Sequence, residues 1–467
     1  MPVKVVYSCL VDQQSAHQAF IWASSLLGYG GQEPESLVVH IVRDCHPHYK
    51  EHLDSMGVRT VLVEPLDPRH PHSNKLTQLV SDEPSSADYV VLCDCDIAFC
   101  EDISPYIVGD AIRATVNNDT TLSLDDWRRI FNDANLPFPT SEAGSTKTVR
   151  VYGSGGLLVL PQRIAHDLRS VWSKWHHWLL ARSSGSLSRF ADQVSFVLSL
   201  AELGLTVDRL DSDDSFLTHI PLASPTAVKE RPKVIHYHDH LNESGFLLPA
   251  RIPIVDSQIN RINDLIAKSR RQSFDNFAFW EFRYALHPSL GSGVGSRGGN
   301  LLIKSNILKA QLAALRPVSV LDVGCGDLEV MKDLTISNYT GVDVSPSAVE
   351  LARKKRPDWE FIWGDILKLD LDPKDLVINL DVVIHQPTRE IYEAFCQKLL
   401  SLSRKYLIVA GYDQPSRYSS EITFYYEPLS ETLTRLAPGR VEVIGSYRDT
   451  TILRWSRNGN LNQQMRV

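Results

Sequence analysis

The sequence predicts an α/β protein of two successive domains, each built on a mostly parallel sheet with helices over its faces. Three observations carry this. The chain has 467 residues, room for two or three domains at roughly 150 residues each. In both halves short apolar runs alternate with helically spaced apolar residues, the pattern of a parallel sheet with covered faces. In each half an apolar run ends in glycines or aspartates, at the strand end where open α/β sheets bind ligands.

The elements follow in order. Val3–Ser8 reads as a buried strand. Ala16, Ala19, Phe20, Ala23, Leu26 and Leu27 then keep helical spacing until Gly28 and Gly30 close the segment. Further short runs lie at Ser36–Val42, Thr60–Val63 and Tyr89–Cys93. Ile259–Arg271 is charged and helical in spacing, and Leu290–Asn300 holds five glycines in eleven residues, the composition of a flexible connector. The aromatic cluster Phe274, Phe277, Phe279, Trp280, Phe282 and Tyr284 just before it is too apolar for a solvated linker. The boundary is therefore placed near residue 268, giving domains 1–268 and 269–467. In the second, Val318–Val323, Tyr339–Val342, Glu360–Trp363, Asp375–Leu380 and Tyr406–Ala410 are expected strands, with Val441–Ser446 and Thr450–Trp455 as a closing antiparallel pair.

Composition narrows the function classes. With 43% hydrophobic and 22% charged residues, the chain is neither disordered nor fibrous. A net charge of −8 argues against nucleic acid as a partner, since non-specific binding to it needs a basic surplus. Apolar runs such as Leu407–Ala410 fall far short of the ~18–20 residues of a membrane helix. Peripheral membrane contact is left only through a lipid-linked acceptor. The opening Met1–Tyr7 lacks a signal-peptide profile, so a cytoplasmic location is the expectation. Seven cysteines, an odd number without Cys-x-x-Cys spacing, point to reduced thiols rather than a disulfide framework or zinc site; the Cys93, Cys95, Cys100 cluster leaves metal binding open. Oligomeric state has no signature here.

The sharpest motif is Val320-Leu-Asp-Val-Gly-Cys-Gly-Asp327. A strand runs into Gly324 and Gly326, whose missing side chains let backbone approach a ligand. Asp343 ends the next strand, where a carboxylate can accept both hydroxyls of a ribose, and Ser345-Pro346 supplies a helix cap with proline at the first helical position. Later strands end at Gly364-Asp365-Ile366 and Leu380-Asp381. A dinucleotide fingerprint would need glycine or alanine where Glu329 stands, so NAD is the poorer match.

Over about Ser273–Arg457 this resembles the class I S-adenosylmethionine-dependent methyltransferases, which implies a seven-stranded sheet. The resemblance places Asp322, Gly324 and Gly326 around the methionine moiety, Asp343 on the ribose, Asp365 on the adenine amino group and Ile366 on its ring. It sets Asp381–Gln386 facing the methyl group and substrate. Phe279–Tyr284 and the glycines after it resemble the lead-in of methyltransferases from glycan-biosynthesis clusters, which folds over the cofactor. Arg283, Ser296 and Arg297 then contact the methionine carboxylate, or are surface charges in a loop. His385 is the candidate base for a hydroxyl acceptor, or else a core histidine bonded to backbone.

In the first half, Asp88–Asp96 is an apolar strand ending in Asp94-Cys95-Asp96. Alternation along a strand would point both carboxylates the same way, and such a pair suits a hard divalent ion bridging phosphates. Together with Ser73-Asn74-Lys75-Leu76, the glycine-rich Tyr152–Leu160, Phe190-Ala-Asp192-Gln193 and Lys233-Val-Ile-His236-Tyr-His238, it resembles the GT-A glycosyltransferases of glycogenin and lipopolysaccharide galactosyltransferase type, over about residues 1–245. That implies two Rossmann-like domains in the whole chain. It also implies manganese or magnesium on Asp94, Asp96 and His236, a nucleotide sugar near Asn74, Lys75, Ser154 and Gly155, and Asp192 and Gln193 beside the anomeric carbon. Asp192 reads equally as a helix cap, Lys75 as a solvated lysine, and His236 and His238 as core histidines. Asn117-Asn118-Asp119 is a substrate loop or an ordinary turn. The likeness leans towards retention; inversion would make Asp192 the base.

The combined expectation is a bifunctional enzyme of polysaccharide or glycolipid assembly. It would transfer a sugar from a nucleotide donor and methylate a sugar hydroxyl with S-adenosylmethionine, on a saccharide or glycolipid acceptor. The alternative is a methyltransferase whose N-terminal half binds a glycan or nucleotide without catalysis.

Overall fold

The computed structural model describes residues 3–66, 71–80, 87–115, 122–139, 156–182, 191–210, 216–217, 228, 230–417 and 420–457. The chain divides into two compact units, Met1–Asn242 with Phe246–Ile266, and Glu243–Gly245 with Ala267–Val467.

In the first unit β1 (Val5–Val11), β2 (Leu37–Val42), β3 (Arg59–Val63) and β4 (Tyr89–Cys93) are parallel neighbours in the order β3-β2-β1-β4. The sheet continues through β7 (Leu157–Pro161), antiparallel to β4, then β6 (Ile112–Thr115) and β8 (Val207–Leu210). It is mixed, with four of its six pairings parallel. All six residues of β2 are buried, which is why five of them, all but His40, are apolar rather than alternating with polar ones. Helices α1 (Gln18–Gly28), α2 (Pro47–Ser55), α3 (Thr77–Val80), α4 (Leu124–Asp133), α5 (Gln162–Leu180) and α6 (Ala191–Leu203) complete the layers. A small second sheet joins β5 (Ile97–Phe99) to β10 (Val234–His236) antiparallel and β10 to β9 (Phe216–Leu217) parallel. It carries His236 back beside the turn that follows β4.

The second unit has one seven-stranded sheet. β11 (Val320–Val323), β12 (Tyr339–Asp343), β13 (Glu360–Trp363), β14 (Lys374–Leu380) and β15 (Ser403–Gly411) are parallel. β16 (Gly439–Tyr447) and β17 (Thr450–Arg457) are the antiparallel closing pair, giving the order β13-β12-β11-β14-β15-β17-β16. Two apolar cores, one on Ile378, Ile408 and Leu328 and one on Val377, Leu407 and Trp455, lie on its two faces. That is the alternation of β14 and β15 read out in three dimensions.

Helix α7 (Pro253–Gln272) straddles the division, followed by α8 (Asn276–Leu286), α9 (Gly298–Leu315), α10 (Pro346–Lys355), α11 (Arg389–Leu402) and α12 (Leu429–Leu436). The glycine-rich stretch is not a free connector. Gly298 and Gly299 open α9, and Ser292 and Arg297 are tied to Asp327 in the turn after β11. Six of the seven cysteines are buried, with Cys95 half-buried. Among the described residues no helix is long and apolar enough to cross a membrane.

Candidate active site

In the second unit, the β11 strand ends in a turn tied to its neighbour. The backbone N–H groups of Gly324 and Cys325 both donate to the Val342 carbonyl, at 2.7 and 3.1 Å. Gly324 and Gly326 have φ of 75° and 53°, a region open to glycine at little cost. A Cβ on Gly324 would overlap Val382, and one on Gly326 would lie 2.5 Å from the Tyr284 hydroxyl and 2.7 Å from Ser292 Oγ. The chain's own side chains thus already occupy the space a Cβ would need, so both positions admit only glycine without rearrangement.

Asp343 closes β12 beside this turn. Its two carboxylate oxygens accept from Gly326 N at 2.8 Å and Ser345 N at 2.9 Å. Burial nevertheless pushes its pKa up to about 6, against the lowering effect of those two donors. Asp322, one strand over, is also buried; desolvation raises it to about 7 although the Tyr339 hydroxyl donates to it at 2.6 Å. Asp365 accepts from Leu367 N at 3.0 Å, and Ile366 is buried beside it. The Gly324–Gly326 turn, Asp343 and Asp365 thus sit at the carboxyl ends of the adjacent strands β11, β12 and β13.

The lead-in contributes residues that sequence reasoning missed. Glu281 of α8 is 4% exposed. It accepts from Ser345 Oγ at 2.6 Å, Ser347 N at 3.1 Å and Ser347 Oγ at 2.6 Å, binding the start of α10. A single carboxylate inside Asn276–Leu286, otherwise largely aromatic, was the signal available, because buried acids need partners. Asp327 accepts from Ser292 Oγ and Arg297 Nη2, both at 2.5 Å. Arg297 is therefore engaged by the chain's own carboxylate. Arg283 lies over the Phe279 and Trp280 rings, at 5.8 and 5.6 Å from their centroids.

Beyond β14, Asp381 adopts φ of 65° and is bound by the Lys304 ammonium and the Tyr447 hydroxyl. The Lys304 side chain is fully buried, so this pairing keeps its charge from being stranded in the core. His385 is also buried. Its Nδ1 lies 2.7 Å from the Ile422 carbonyl, which fixes that nitrogen as the donor and leaves Nε2 as the acceptor. Desolvation, reinforced by Arg283 and opposed by the Ile422 bond, lowers its pKa to about 4. The ring is thus a core histidine bonded to backbone and, at neutral pH, an imidazole with one open lone pair.

In the first unit the strand-alternation argument for Asp94 and Asp96 does not hold. β4 ends at Cys93, and both aspartates lie in the turn into β5, where Asp94 N donates to Gly156 O at 2.9 Å. The turn still gathers a polar cluster. His236 Nε2 is 2.9 Å from Asp96 Oδ1 and 3.8 Å from Asp94 Oδ2, and His238 Nδ1 is 3.2 Å from Asp96 Oδ2. His238 lies past the end of β10 with φ of 50°, so a left-handed backbone, not strand alternation, brings its ring 4.0 Å from that of His236. Asp96, His236 and His238 offer ligand atoms all within 4.8 Å of one another, a nitrogen-and-oxygen donor set that leaves out Asp94. Burial works against the Asp96 carboxylate, but the two imidazoles overcome it and hold its pKa far below the usual range. His236 is raised by Asp96 despite its own burial.

Lys75, expected on a phosphate, forms an ion pair with Asp94 and feels Asp192 as a further negative neighbour. Asp192 is buried in the first turn of α6. Asn74 turns away to accept from Leu66 N at 2.8 Å, and Gln193 is half-buried next to Asp192. Ser154, Gly155 and the Asn117–Asp119 segment lie outside the described residues.

Residues 320–405 match the family model described as "Methyltransferase domain", from β11 to the start of β15. Among solved structures, the chain is similar to magnesium protoporphyrin IX methyltransferase (ChlM) from Synechocystis PCC 6803 with bound SAH, at 19% identity over 42% of this chain and 94% of that one, TM-score 0.29. It is also similar to the N-methyltransferase NodS from Bradyrhizobium japonicum WM9 in complex with S-adenosyl-L-homocysteine, at 14% identity over 34% of this chain and 87% of that one, TM-score 0.28. No curated protein matches. The family match falls on the strands and turn that hold Asp322, Gly324, Gly326, Asp343 and Asp365, and this stretch of the chain is a methyltransferase domain.

Proposed function

We propose that the protein is bifunctional: its C-terminal unit methylates a sugar hydroxyl with S-adenosylmethionine, and its N-terminal unit transfers a glycosyl group from a nucleotide sugar with a divalent metal. The observation that carries the methyl-transfer half is the bare backbone of Gly324 and Gly326 beside the Asp343 carboxylate, joined by the 2.8 Å bond from Gly326 N. S-adenosylmethionine would supply an electrophilic methyl group. Gly324 and Gly326 would lie beside its amino-acid portion, Asp343 would accept from its ribose, and Asp365 and Ile366 would hold its base. Positioning is the protein's main contribution to such a displacement. Nε2 of His385 is the free lone pair that would take the acceptor hydroxyl's proton.

For the N-terminal unit, support comes from Asp94, Asp96 and His236, with His238 added to them. A divalent ion there would neutralise a diphosphate leaving group. The Lys75–Asp94 ion pair favours the alternative, a unit that binds a glycan or nucleotide without catalysis, because it already satisfies one carboxylate of the set. Calorimetry with S-adenosylhomocysteine tests the first half; no binding sinks it. A thermal-shift screen of nucleotide sugars with and without manganese tests the second. A manganese-dependent shift that disappears in Asp94→Ala supports it, and a shift unchanged in that variant removes it.

A further inference from the structure

We infer that a cavity beside the His385 loop is the acceptor site of the methyltransferase domain, and that it takes a neutral, polyhydroxylated ring, a glycosyl unit. This rests on the methyl-transfer reading above and adds where the acceptor lies and what it is. The cavity measures about 310 Å³ and is lined by Arg271, Tyr412, Ser416, Glu421, Thr423 and Tyr425 among others, at the small end of the ~300–1,000 Å³ typical of small-molecule sites.

Its placement follows from one short strip of chain. Ile422 O binds His385 Nδ1, Phe424 N donates to Ile384 O at 2.8 Å, and the Tyr426 hydroxyl donates to Gln386 O at 3.0 Å. Those three even-numbered positions grip the loop after β14. Three odd-numbered positions of the same strip, Glu421, Thr423 and Tyr425, line the cavity. The strip therefore joins the loop of the candidate base to the wall of the cavity. Tyr412, the first residue after β15, adds the carboxyl rim of the strand next to β14.

The lining selects the ligand class. Arg271 brings donors only, Glu421 acceptors only, and Thr423 and the two tyrosines can do either, while the Ser416 hydroxyl donates to Asp449. Vicinal hydroxyls, each both donor and acceptor, satisfy such a set. One cation and one anion cancel, so the cavity favours neither a phosphate nor an ammonium ligand. The rings of Tyr412 and Tyr425 offer flat apolar faces with polar tips, as the C–H face of a sugar ring requires.

The test uses the full chain carrying Asp94→Ala, which removes the proposed N-terminal site from the signal. A mixture of the methyl glycosides of glucose, galactose, mannose and rhamnose is followed by saturation-transfer NMR with S-adenosylhomocysteine present. The expected result is a glycoside signal that weakens about fivefold to tenfold in Glu421→Gln and in Thr423→Val, the loss of one hydrogen-bonding group each, while S-adenosylhomocysteine affinity stays within about twofold. Tyr425→Leu should weaken it further. Retained signal in all three variants, or no glycoside signal from a protein that binds S-adenosylhomocysteine, overturns the acceptor assignment alone. Failure to bind S-adenosylhomocysteine overturns the methyl-transfer reading instead. Unchanged melting temperatures separate lost contacts from lost folding.

Discussion

Lowering the pH should weaken S-adenosylhomocysteine binding through Asp343. Burial lifts this carboxyl from its ordinary 3.8 to about 6, with Ser345 N and Gly326 N lowering it only in part. The shift of about two units means that keeping the anion in the folded protein costs about 3 kcal/mol near pH 7. The sign follows directly: the folded state holds the proton more tightly than the unfolded chain, so this cost shrinks as pH falls through about 6 towards about 4. In the proposed complex the ribose hydroxyls would donate to the ionised carboxylate, so binding would run the opposite way. At about pH 5 only about one-eleventh of Asp343 is ionised, which predicts about tenfold weaker binding than at about pH 7.5. Calorimetry in two buffers of different ionisation enthalpy should also show proton release on binding near pH 6. Asp322, raised to about 7, titrates nearby, so Asp343→Asn and Asp322→Asn are compared. The pH step should vanish in the first and persist in the second. Equal slopes in wild type and Asp343→Asn would refute the assignment of the ribose to this carboxylate.

Four further outcomes are expected. Gly324→Ala should weaken S-adenosylhomocysteine binding tenfold or more, since its φ of 75° and the overlap with Val382 strain the turn by about 1–2 kcal/mol from the backbone alone; adding Val382→Ala should restore part of the loss in a calorimetric double-mutant cycle. Leu328 is buried yet has φ of 61°, so Leu328→Gly should unfold in urea no more easily than Leu328→Ala, the reverse of the usual order in which glycine costs about 0.5–1 kcal/mol more. Glu281→Ala strands three donors that the carboxylate now satisfies and should cost about 3–5 kcal/mol in denaturant titration, with Glu281→Gln losing less. Manganese at about a hundredfold above its dissociation constant should stabilise the protein by about 2.7 kcal/mol, and Asp96→Asn should abolish that thermal shift.

Some of this architecture is written locally in the chain. The runs at Tyr89–Cys93, Tyr339–Asp343 and Glu360–Trp363 become strands because period-two and all-apolar patterns act over a few neighbouring residues. Gly324, Gly326, Asp343 and Asp365 are legible for the same reason, each sitting at the end of such a run. The α9 helix was not legible: its apolar residues surround it, with Leu302 and Ile303 exposed while Lys304 is buried, so no amphipathic stripe announces it.

What the sequence by itself determined, then, is the succession of strands, the glycine turn after β11 and the acids at the strand ends, all consequences of short-range periodicity. Tertiary structure alone decided which groups meet. Glu281 reaches Ser345 across 64 residues, Lys304 reaches Asp381 across 77, and Lys75 takes Asp94 across 19. His238 and Leu328 turn left-handed without being glycine, and the Ile422 carbonyl fixes the tautomer of His385. Such pairings depend on the path of the chain between the partners, and the burial that makes them strong exists only once the domain has closed around them.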